Sequence, residues 1–154
     1  MSKLPKEQAI AKVARYCSTR ERAPHQVKEK LIKWGIHSTQ ADEIIDKLKA
    51  DNFLNEQRFA NAYCHDKFEF NKWGKIKIRY GIQKFFLPEE VVDEGLSNIA
   101  DDRYQDVVAE QAQKKWSMLQ NEEDLFIKKQ KTANFLIRKG FESSVIYPVV
   151  DKLS

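Results

Sequence analysis

Apolar residues at the start of the chain recur every three or four positions, which is the spacing of one face of an α-helix. The spacing predicts a first helix after Pro5, with an apolar face of Ala9, Ile10, Val13, Ala14 and Cys17. Pro24 is predicted to begin a second helix and Gly35 to end it. Ser38 or Thr39 is the expected N-cap of a third helix, which carries Ile44, Ile45 and Leu48.

This three-helix pattern recurs twice further along the chain. Similar residues stand about 51 positions later and then about 54 positions later again: Val27, Leu31, Gly35 and Ile36, then Ile78, Ile82, Phe86 and Leu87, then Leu136, Gly140 and Phe141. A period of this size is typical of repeat proteins, whose units bury their apolar faces by stacking on one another. We therefore predict an all-α fold of three tandem three-helix repeats, stacked into an elongated, curved array, with repeats at residues 6–50, 51–100 and 101–154.

Repeat two contains the one segment whose pattern is ambiguous. Its first helix is clear because Asn55 is a good N-cap. An apolar stripe typical of core packing follows, formed by Phe59, Tyr63 and Phe70. The segment Lys75–Tyr80 then alternates polar and apolar residues, as a half-buried strand does. We favour a helix there, since the equivalent segments of the other repeats are helical and no second strand is available to pair with it.

Repeat three follows the helical pattern throughout. Its first helix has a long apolar face, formed by Tyr104, Val107, Val108, Ala112 and Trp116. Asn121 or Asp124 ends the next loop, and a second helix reaches Gly140 with an apolar set of Leu125, Phe126, Ala133, Leu136 and Ile137. Ser143 is the expected N-cap of the last helix, in which Pro148 is tolerated near the start. The whole chain is thus predicted to contain about nine helices.

The composition limits the class of protein. With 32% charged and 42% hydrophobic residues, 5 Gly and 4 Pro, the chain is typical of a helix-rich soluble protein rather than a disordered one. No apolar run is long enough to span a bilayer, and the first residues lack the apolar core of an export signal. We therefore expect a cytoplasmic protein without membrane contact. Cys17 and Cys64 fit reduced, partly buried core thiols better than a disulfide.

The charge is segregated along the chain, although the net charge is only +4. One acid, Glu69, stands among six basic residues: Lys67, Lys72, Lys75, Lys77, Arg79 and Lys84. Residues 88–124 are mainly acidic, and residues 125–154 are basic again. Such segregation suits a partner of mixed charge, for example a protein–nucleic acid assembly. Taken alone, a basic run more often marks only a solvated helix face.

No catalytic constellation is found in the sequence. His25, His37 and His65 are scattered, without a cysteine or carboxylate at metal-ligand spacing. The glycines do not form a phosphate-binding loop. Cys64 and His65 are adjacent in sequence, and neighbours on a helix point about 100° apart, so they cannot act as a nucleophile and its base. We therefore expect a binding protein without enzymatic activity, metal or cofactor.

Several motifs of repeat two stand together at characteristic spacings. They are the segment Asn52–Ala60, Tyr63, Trp73-Gly74, and then Ile78, Ile82 and Leu87 at steps of four to five residues. In these motifs the chain resembles the RecX family, the small bacterial regulators of the RecA recombinase, which are built of tandem three-helix repeats. Two residues depart from the family pattern. Phe86 stands where a turn glycine is usual. Asn52 also replaces a common glycine, but asparagine adopts the left-handed backbone conformation well.

The resemblance implies a regulator that binds the RecA filament on single-stranded DNA and lies along its groove. It implies reduced filament growth, ATP hydrolysis, strand exchange and co-protease activity, and we expect the regulator to be a monomer. The candidate partner-binding or DNA-binding residues are Arg58, Lys67, Lys72, Trp73, Lys75, Lys77, Arg79 and Lys84. Trp73 either stacks on a base or, as is more usual, packs between two helices. Arg58 either contacts the partner or forms an ion pair at the start of its helix.

Two other functions fit the same sequence. A free-standing nucleic-acid-binding protein would use the helix pair of residues 59–86 as a helix-turn-helix and would bind duplex DNA specifically without any recombinase. A purely structural helical-repeat adaptor would bind an unrelated protein. The three functions differ in their dependence on recombinase, on the form of the DNA and on salt.

Overall fold

The computed structural model describes residues 4–154, which form nine α-helices, one 3-10 helix and no β-strand. The α-helices are α1 (Lys6–Thr19), α2 (Pro24–Lys33), α3 (Ser38–Ala50), α4 (Glu56–Glu69), α5 (Lys75–Ile82), α6 (Glu89–Ser97), α7 (Asp101–Met118), α8 (Leu125–Arg138) and α9 (Ser143–Val150). The 3-10 helix, Gln83–Phe85, follows α5 directly. The all-α prediction is confirmed, and so is the helical interpretation of Lys75–Tyr80. Within the described range, every helix is too short or too polar to cross a membrane.

The chain packs into two compact units, of which the first contains the described part of Met1–Ala62 together with Ile82–Glu94. The apolar faces of α1, α2 and α3 form its core. Residues that the periodicity predicts and that are buried include Ala9, Val13, Cys17, Val27, Leu31, Ile44, Ile45 and Leu48. Ile10 and Ala14 of the predicted face are only half-buried, and Ile32, the third apolar residue of α2 in the same pattern, is 48% exposed. Burying one Val, Leu or Ile side chain contributes about 1.5–3 kcal/mol, so these faces hold the three helices together.

The turn after α2 is the one that Gly35 predicts. Gly35 has a φ of +88°, and the N–H of Ile36 donates to the carbonyl of Leu31 at 3.0 Å. This hydrogen bond closes the helix end in the way of a Schellman turn. Asn52, the residue that replaces a common glycine, also has a positive φ, of +65°. Both turns therefore occur where the sequence places them.

The N-caps of α3 and α4 in this unit differ in how well the sequence predicts them. Asn55 accepts a hydrogen bond from the N–H of Arg58 at 2.8 Å, which confirms it as the cap of α4. The N-cap of α3 is His37, whose Nδ1 accepts from the N–H of Thr39 at 3.2 Å. The prediction of Ser38 or Thr39 is wrong because both residues are already helical, and an imidazole nitrogen supplies the acceptor that a hydroxyl often provides.

The end of α5 reaches the predicted turn by a different route. The α-helix stops at Ile82, the 3-10 helix follows, and Phe86 takes the left-handed conformation with a φ of +53°. A residue other than glycine costs roughly 1 kcal/mol in that conformation. The Phe86 side chain is 74% exposed, and its ring centroid lies 4.7 Å from that of His25. The turn is present without its usual glycine.

The second unit contains Tyr63–Gly81 and Gly95–Ser154, with α7, α8 and α9 packed on one another. The predicted apolar face of α7 is confirmed, since its five residues are all buried: Tyr104, Val107, Val108, Ala112 and Trp116. On α8, Ala133 and Leu136 are buried as predicted. This unit also buries Phe141, Ile146 and Val150 near the end of the chain.

Three residues assigned to the apolar face of α8 are exposed, so that part of the prediction is wrong. Leu125, Phe126 and Ile137 are 53%, 73% and 45% exposed. The buried stripe of α8 begins only at Thr132, more than a turn after the first two of these residues. Ile137 points about 100° away from its buried neighbour Leu136.

The predictions for the last two helix starts have different outcomes. Asp124, one of the two residues predicted to end the loop, directly precedes α8 and is its N-cap, since its carboxylate accepts from the N–H of Ile127 at 3.2 Å. The prediction of Ser143 is wrong, because Ser143 is already helical and Glu142 is the N-cap of α9. The placement of Pro148 near the start of α9 is also wrong, since it is the sixth of 8 residues. Its missing N–H leaves one gap in the backbone hydrogen bonds of α9.

Repeat two supplies the end of α4 to this unit. Cys64 and Phe68 are buried there, whereas Phe70 is 75% exposed. The prediction that Phe70 belongs to the apolar stripe is wrong because Phe70 follows the last residue of α4. Phe68, one helical turn after Cys64, takes the core position instead.

The alternating pattern of α5 results from two opposite faces of one helix. Ile78 and Ile82 are 0% and 1% exposed, while Ile76 and Tyr80 are 57% and 76% exposed. Each pair has the i, i+4 spacing of one helix face, and the two pairs lie about 200° apart around the axis. A helix with apolar residues on both faces therefore reproduces the period of a strand.

Both cysteines are buried free thiols, as predicted. Burial raises the pKa of Cys17, and it raises the pKa of Cys64 to about 11. A thiol with a raised pKa carries little thiolate near neutral pH. Neither cysteine therefore has the reactivity of a nucleophile.

The division between the two units passes through α4, α5 and α6. The predicted repeats, with boundaries at 50/51 and 100/101, divide the sequence by its period instead. These boundaries stay a prediction from periodicity. The consequence for the site is that the candidate residues of repeat two belong partly to one unit and partly to the other.

Candidate functional site

Trp73 lies where the end of α4 meets α5 in the second unit. A methyl group on Gly81 of α5 would lie 3.2 Å from Trp73 Cζ3 and 2.5 Å from Tyr63 Oη. The Nζ atoms of Lys67 and Lys77 lie 4.9 Å and 4.8 Å from the Trp73 ring centroid, within the range of cation–π interactions. The ring is thus engaged with its own protein, which favours the packing interpretation of Trp73 over base stacking.

Lys72 occupies an unusual backbone conformation at the end of α4. Its φ is +58°, and its N–H donates to the carbonyl of Phe68 at 3.1 Å. The next N–H, of Trp73, donates to the carbonyl of Lys67 at 3.0 Å. Glycine is the usual residue at such a turn, and lysine costs roughly 1 kcal/mol more there. The position is therefore occupied by a charged side chain at some cost in stability.

Glu69, the one acid of the basic segment, is bonded to α7. Arg103 Nε lies 3.2 Å from Glu69 Oε1, and a second guanidinium nitrogen lies 3.2 Å from Oε2. These hydrogen bonds are the main cause of a lowered pKa at Glu69. The carboxylate stays ionised, and its two oxygens are occupied by Arg103.

The lysines of the segment carry no such partner. Among residues 4–154, no carboxylate forms an ion pair with Lys67, Lys72, Lys75 or Lys77. Lys75 Nζ lies 5.0 Å from the Tyr104 ring centroid. The basic surface, formed by Lys67, Lys72, Lys75 and Lys77, therefore carries several cations that no ion pair within residues 4–154 neutralises.

Two of the predicted site residues belong to the first unit. Arg58 Nε lies 3.1 Å from both carboxylate oxygens of Glu21, and its Nη2 donates to the carbonyl of Asn52 at 3.1 Å. Arg58 therefore forms the helix-start ion pair that was one of its two interpretations. Lys84 is exposed on the 3-10 helix, with its Nζ 5.3 Å from the Phe85 ring centroid. Arg79, in the second unit, is exposed on α5.

Sequence reasoning missed two exposed aromatic rings beside the lysines. Tyr80 is 76% exposed and follows Lys77 by three residues, so both lie on neighbouring parts of the α5 surface. Phe70 is 75% exposed and precedes Lys72 by two residues. The strand-like alternation of α5 could have revealed the exposed ring of Tyr80. If a helix with this alternation buries Ile78, its other apolar residues must lie on the opposite, exposed face.

Sequence reasoning also missed a backbone junction between repeats two and three. The N–H of Gly74 donates to the carbonyl of Lys139 at 2.7 Å, and that of Ile76 donates to Gly140 at 3.0 Å. The N–H of Lys75 donates to Tyr104 Oη at 2.9 Å, and this hydroxyl donates in turn to the carboxylate of Glu142. The free N–H groups at the start of α5 thus find acceptors in repeat three.

Two glycines make this junction sterically feasible. A methyl group on Gly74 would lie 2.3 Å from backbone atoms of Gly140 and Phe141. A methyl group on Gly140, whose φ is +94°, would lie 2.3 Å from Lys77 Cβ. Contacts this short are forbidden to real side chains, so only glycine fits at either position. The close contact of Gly74 with Gly140 places Lys139, the residue before Gly140, beside the lysines of repeat two.

Comparison with known proteins places these observations in a family. Profiles described as the first, second and third three-helix domains of RecX match residues 9–48, 55–96 and 101–150. The Regulatory protein RecX of Clostridium tetani is 30% identical over 129 residues, which are 83% of this chain and 59% of that protein. The protein of the same name from Clostridium botulinum, strain Eklund 17B, is 32% identical over 146 residues, 94% of this chain and 66% of its own length.

Solved structures show the same fold. The crystal structure of RecX from Lactobacillus salivarius superposes with a TM-score of 0.88 at 21% identity, covering 96% of each chain. A second crystal structure of regulatory protein RecX gives a TM-score of 0.85 at 20% identity, covering 96% of this chain and 72% of the other. The chain spans 59–66% of the length of these curated Clostridium relatives. With three domains of one family matched in tandem, the chain belongs to the RecX family of regulatory proteins.

Proposed function

We propose that this protein binds the RecA filament on single-stranded DNA and inhibits it. Membership of a family of regulatory proteins is the observation that carries the proposal. The expected consequences are slower filament growth and lower ATP hydrolysis, strand exchange and co-protease activity. We place this action in the cytoplasm and assign it to a monomer without catalytic activity or cofactor.

The basic surface of the second unit supports binding to such a filament. Lys72, Lys75 and Lys77 form no ion pair within residues 4–154. The one acid of their segment, Glu69, is hydrogen-bonded to Arg103 instead. Lysines in this state attract DNA phosphates and acidic protein surfaces. Attraction of this kind raises the association rate at low salt and weakens as salt is added.

The decisive experiment measures ATP hydrolysis by the cognate RecA on single-stranded DNA while this protein is added. We expect suppression of hydrolysis. Suppression at amounts far below those of RecA would indicate action at filament ends or on growth, and suppression only near equal amounts would indicate occupation of the groove. Unchanged hydrolysis at a large excess of the protein would contradict the proposal.

Charge reversal tests whether the lysines contribute. We expect Lys72→Glu, Lys75→Glu and Lys77→Glu together to weaken inhibition by at least about tenfold, because three attractive contacts become repulsive. The control makes the same change in charge at three exposed lysines outside the segment, through Lys33→Glu, Lys47→Glu and Lys152→Glu. Equal inhibition by the two triple variants would show that the assignment of the site is wrong.

A second function is kept because of the same surface: binding of nucleic acid without a recombinase. Tyr80 and Phe70 are exposed, and the lysines near them in the sequence form no ion pair within residues 4–154. Aromatic rings and cations are the combination that nucleic acids contact. Unchanged RecA activity together with tight, sequence-specific duplex binding by the protein alone would favour this second function.

A further inference from the structure

Three lysines from three different segments of the second unit lie around the junction of repeats two and three, and a fourth lies on α7, which packs on α8. Lys72 follows α4, Lys77 lies in α5, Lys114 lies in α7 and Lys139 is the C-cap residue of α8. The sequence gives no reason to group them, since Lys114 and Lys139 are far from the basic segment of repeat two. The contact between Gly74 and Gly140 brings at least three of these segments together.

The position of Lys139 is fixed by the junction at both its backbone and its side chain. Its carbonyl accepts from the N–H of Gly74 at 2.7 Å. Its Nζ donates, at 2.7 Å, to the backbone carbonyl of Asn71, the residue that directly precedes Lys72. On the other side, Lys77 Cβ occupies the space that a side chain at Gly140 would need. The ammonium group of Lys139 is therefore held close to the lysines of repeat two.

The charges of Lys77, Lys114 and Lys72 repel that of Lys139. The pKa of Lys139 is lowered, first by its partial burial and then by the charges of Lys77, Lys114 and Lys72. Within residues 4–154, no carboxylate forms an ion pair with any of the four to offset this repulsion. A bound anion would offset it, because it attracts all four at once.

We propose that Lys72, Lys77, Lys114 and Lys139 bind a backbone phosphate of single-stranded nucleic acid. The site deepens the function proposed above, since it assigns the DNA contact to the junction of repeats two and three. All four residues are lysines, which bind phosphate as point charges.

The neighbouring side chains also favour nucleic acid over an acidic protein. Tyr80 follows Lys77 by three residues on α5, and its ring is 76% exposed. A base next to the bound phosphate can stack on this ring, since every base presents a π-face and stacking contributes about 1–3 kcal/mol per base. Tyr80 thus lies on the same short helix as Lys77, one of the four lysines of the proposed phosphate site.

The test measures binding of a short, labelled oligothymidylate to the protein alone, without RecA, at several salt concentrations. The variant Lys114→Gln with Lys139→Gln removes two charges while keeping an amide donor at each position. We expect its affinity to fall and the slope of log K against log salt to become shallower by up to about 0.7, the value for one phosphate contact on a single strand, because the four lysines share one phosphate.

The matched control is Lys129→Gln with Lys152→Gln in the same unit. Like the test pair, it changes one half-buried and one exposed lysine. Lys129 lies on α8 about 15 Å along the helix axis from Lys139, and its Nζ donates to the carbonyl of Asp151 at 3.0 Å. We expect this control to keep the slope of the unmodified protein. Thermal unfolding of both variants checks that Lys139→Gln keeps the junction folded, and Lys114→Gln alone tests the site at an exposed position.

Each other outcome overturns the proposal. If neither the slope nor the affinity differs between the test pair and the control, the four lysines do not bind phosphate. If the protein alone binds no oligothymidylate at low salt, there is no such site. If the test pair loses RecA inhibition but keeps its DNA affinity, the lysines contact acidic protein instead, and the proposed regulatory function survives while the phosphate site does not.

Discussion

Repeat two carries basic residues at both ends of α4, and the two ends use them differently. At the start, Arg58 is bound by Glu21 and by the carbonyl of Asn52. At the end, Lys72 carries no ion pair in the described part of the chain, and the acid nearest to it in the sequence, Glu69, is bound by Arg103. Both residues are basic, and both are candidate binding residues from the sequence. The placement of the acidic side chains separates a cation that stabilises the fold from one that can bind a partner.

The largest effect should come from disrupting the junction that assembles the lysines. We expect Gly74→Ala to destabilise the protein by about 3 kcal/mol or more, because its methyl group would lie 2.3 Å from the backbone of Gly140 and Phe141. Denaturant unfolding measures the change. Gly81→Ala is the control, because the nearest atom to its methyl is the movable Tyr63 Oη and alanine favours helix by about 1 kcal/mol. Equal destabilisation by the two variants would contradict the rigid junction.

A smaller effect is expected from removing the cation at the start of α4. Arg58→Ala should lower the free energy of unfolding by about 1 kcal/mol, because it breaks a partly exposed ion pair and one hydrogen bond to a carbonyl. RecA inhibition per folded molecule should stay unchanged. Arg58→Lys tests whether the charge alone matters. Lysine keeps the positive charge but cannot bond to Glu21 and to the carbonyl of Asn52 at the same time in the way that arginine does. Loss of inhibition in a fully folded Arg58→Ala protein would place Arg58 in the binding surface.

The smallest effect, and the sharpest test of the comparison, is at Lys72. Lys72→Gly should raise the free energy of unfolding by up to roughly 1 kcal/mol, because glycine accepts the φ of +58° without strain. The same change should weaken oligothymidylate binding severalfold by removing one charge. Phe86→Gly is the matched control, since Phe86 has a φ of +53° and no charge. If Lys72→Gly and Phe86→Gly have the same effect on binding, the charge of Lys72 has no role.

The sequence predicts the local structure well because local signals determine it. The periodicity of α1 and α7, the turn at Gly35 and the cap at Asn55 all depend on neighbours within a few residues. His37 shows the limit of this reasoning, because a histidine can cap a helix that an adjacent serine is expected to cap. Residue type alone therefore does not tell which of two neighbouring residues, here His37 or Ser38, accepts the capping hydrogen bond.

The site is predicted less completely because it depends on distant pairs. The sequence identifies Lys72, Lys75 and Lys77 as a basic segment, but it does not show that Arg103 occupies Glu69 or that Lys139 joins the segment. These contacts link residues more than thirty positions apart. Similarly, the periodicity of α5 cannot tell which of its two apolar faces is buried, and only packing leaves Tyr80 exposed.

The backbone contact at Gly74 and Gly140 also bears on how this chain can change by mutation. Units of a repeat protein are often treated as separable modules that can be gained, lost or exchanged. Here the N–H groups of Gly74 and Ile76 in one repeat rely on carbonyls of the next, and deleting that repeat would leave donors without acceptors. Neither glycine can gain a side chain unless the other segment moves. Repeats two and three are therefore constrained to vary as a pair.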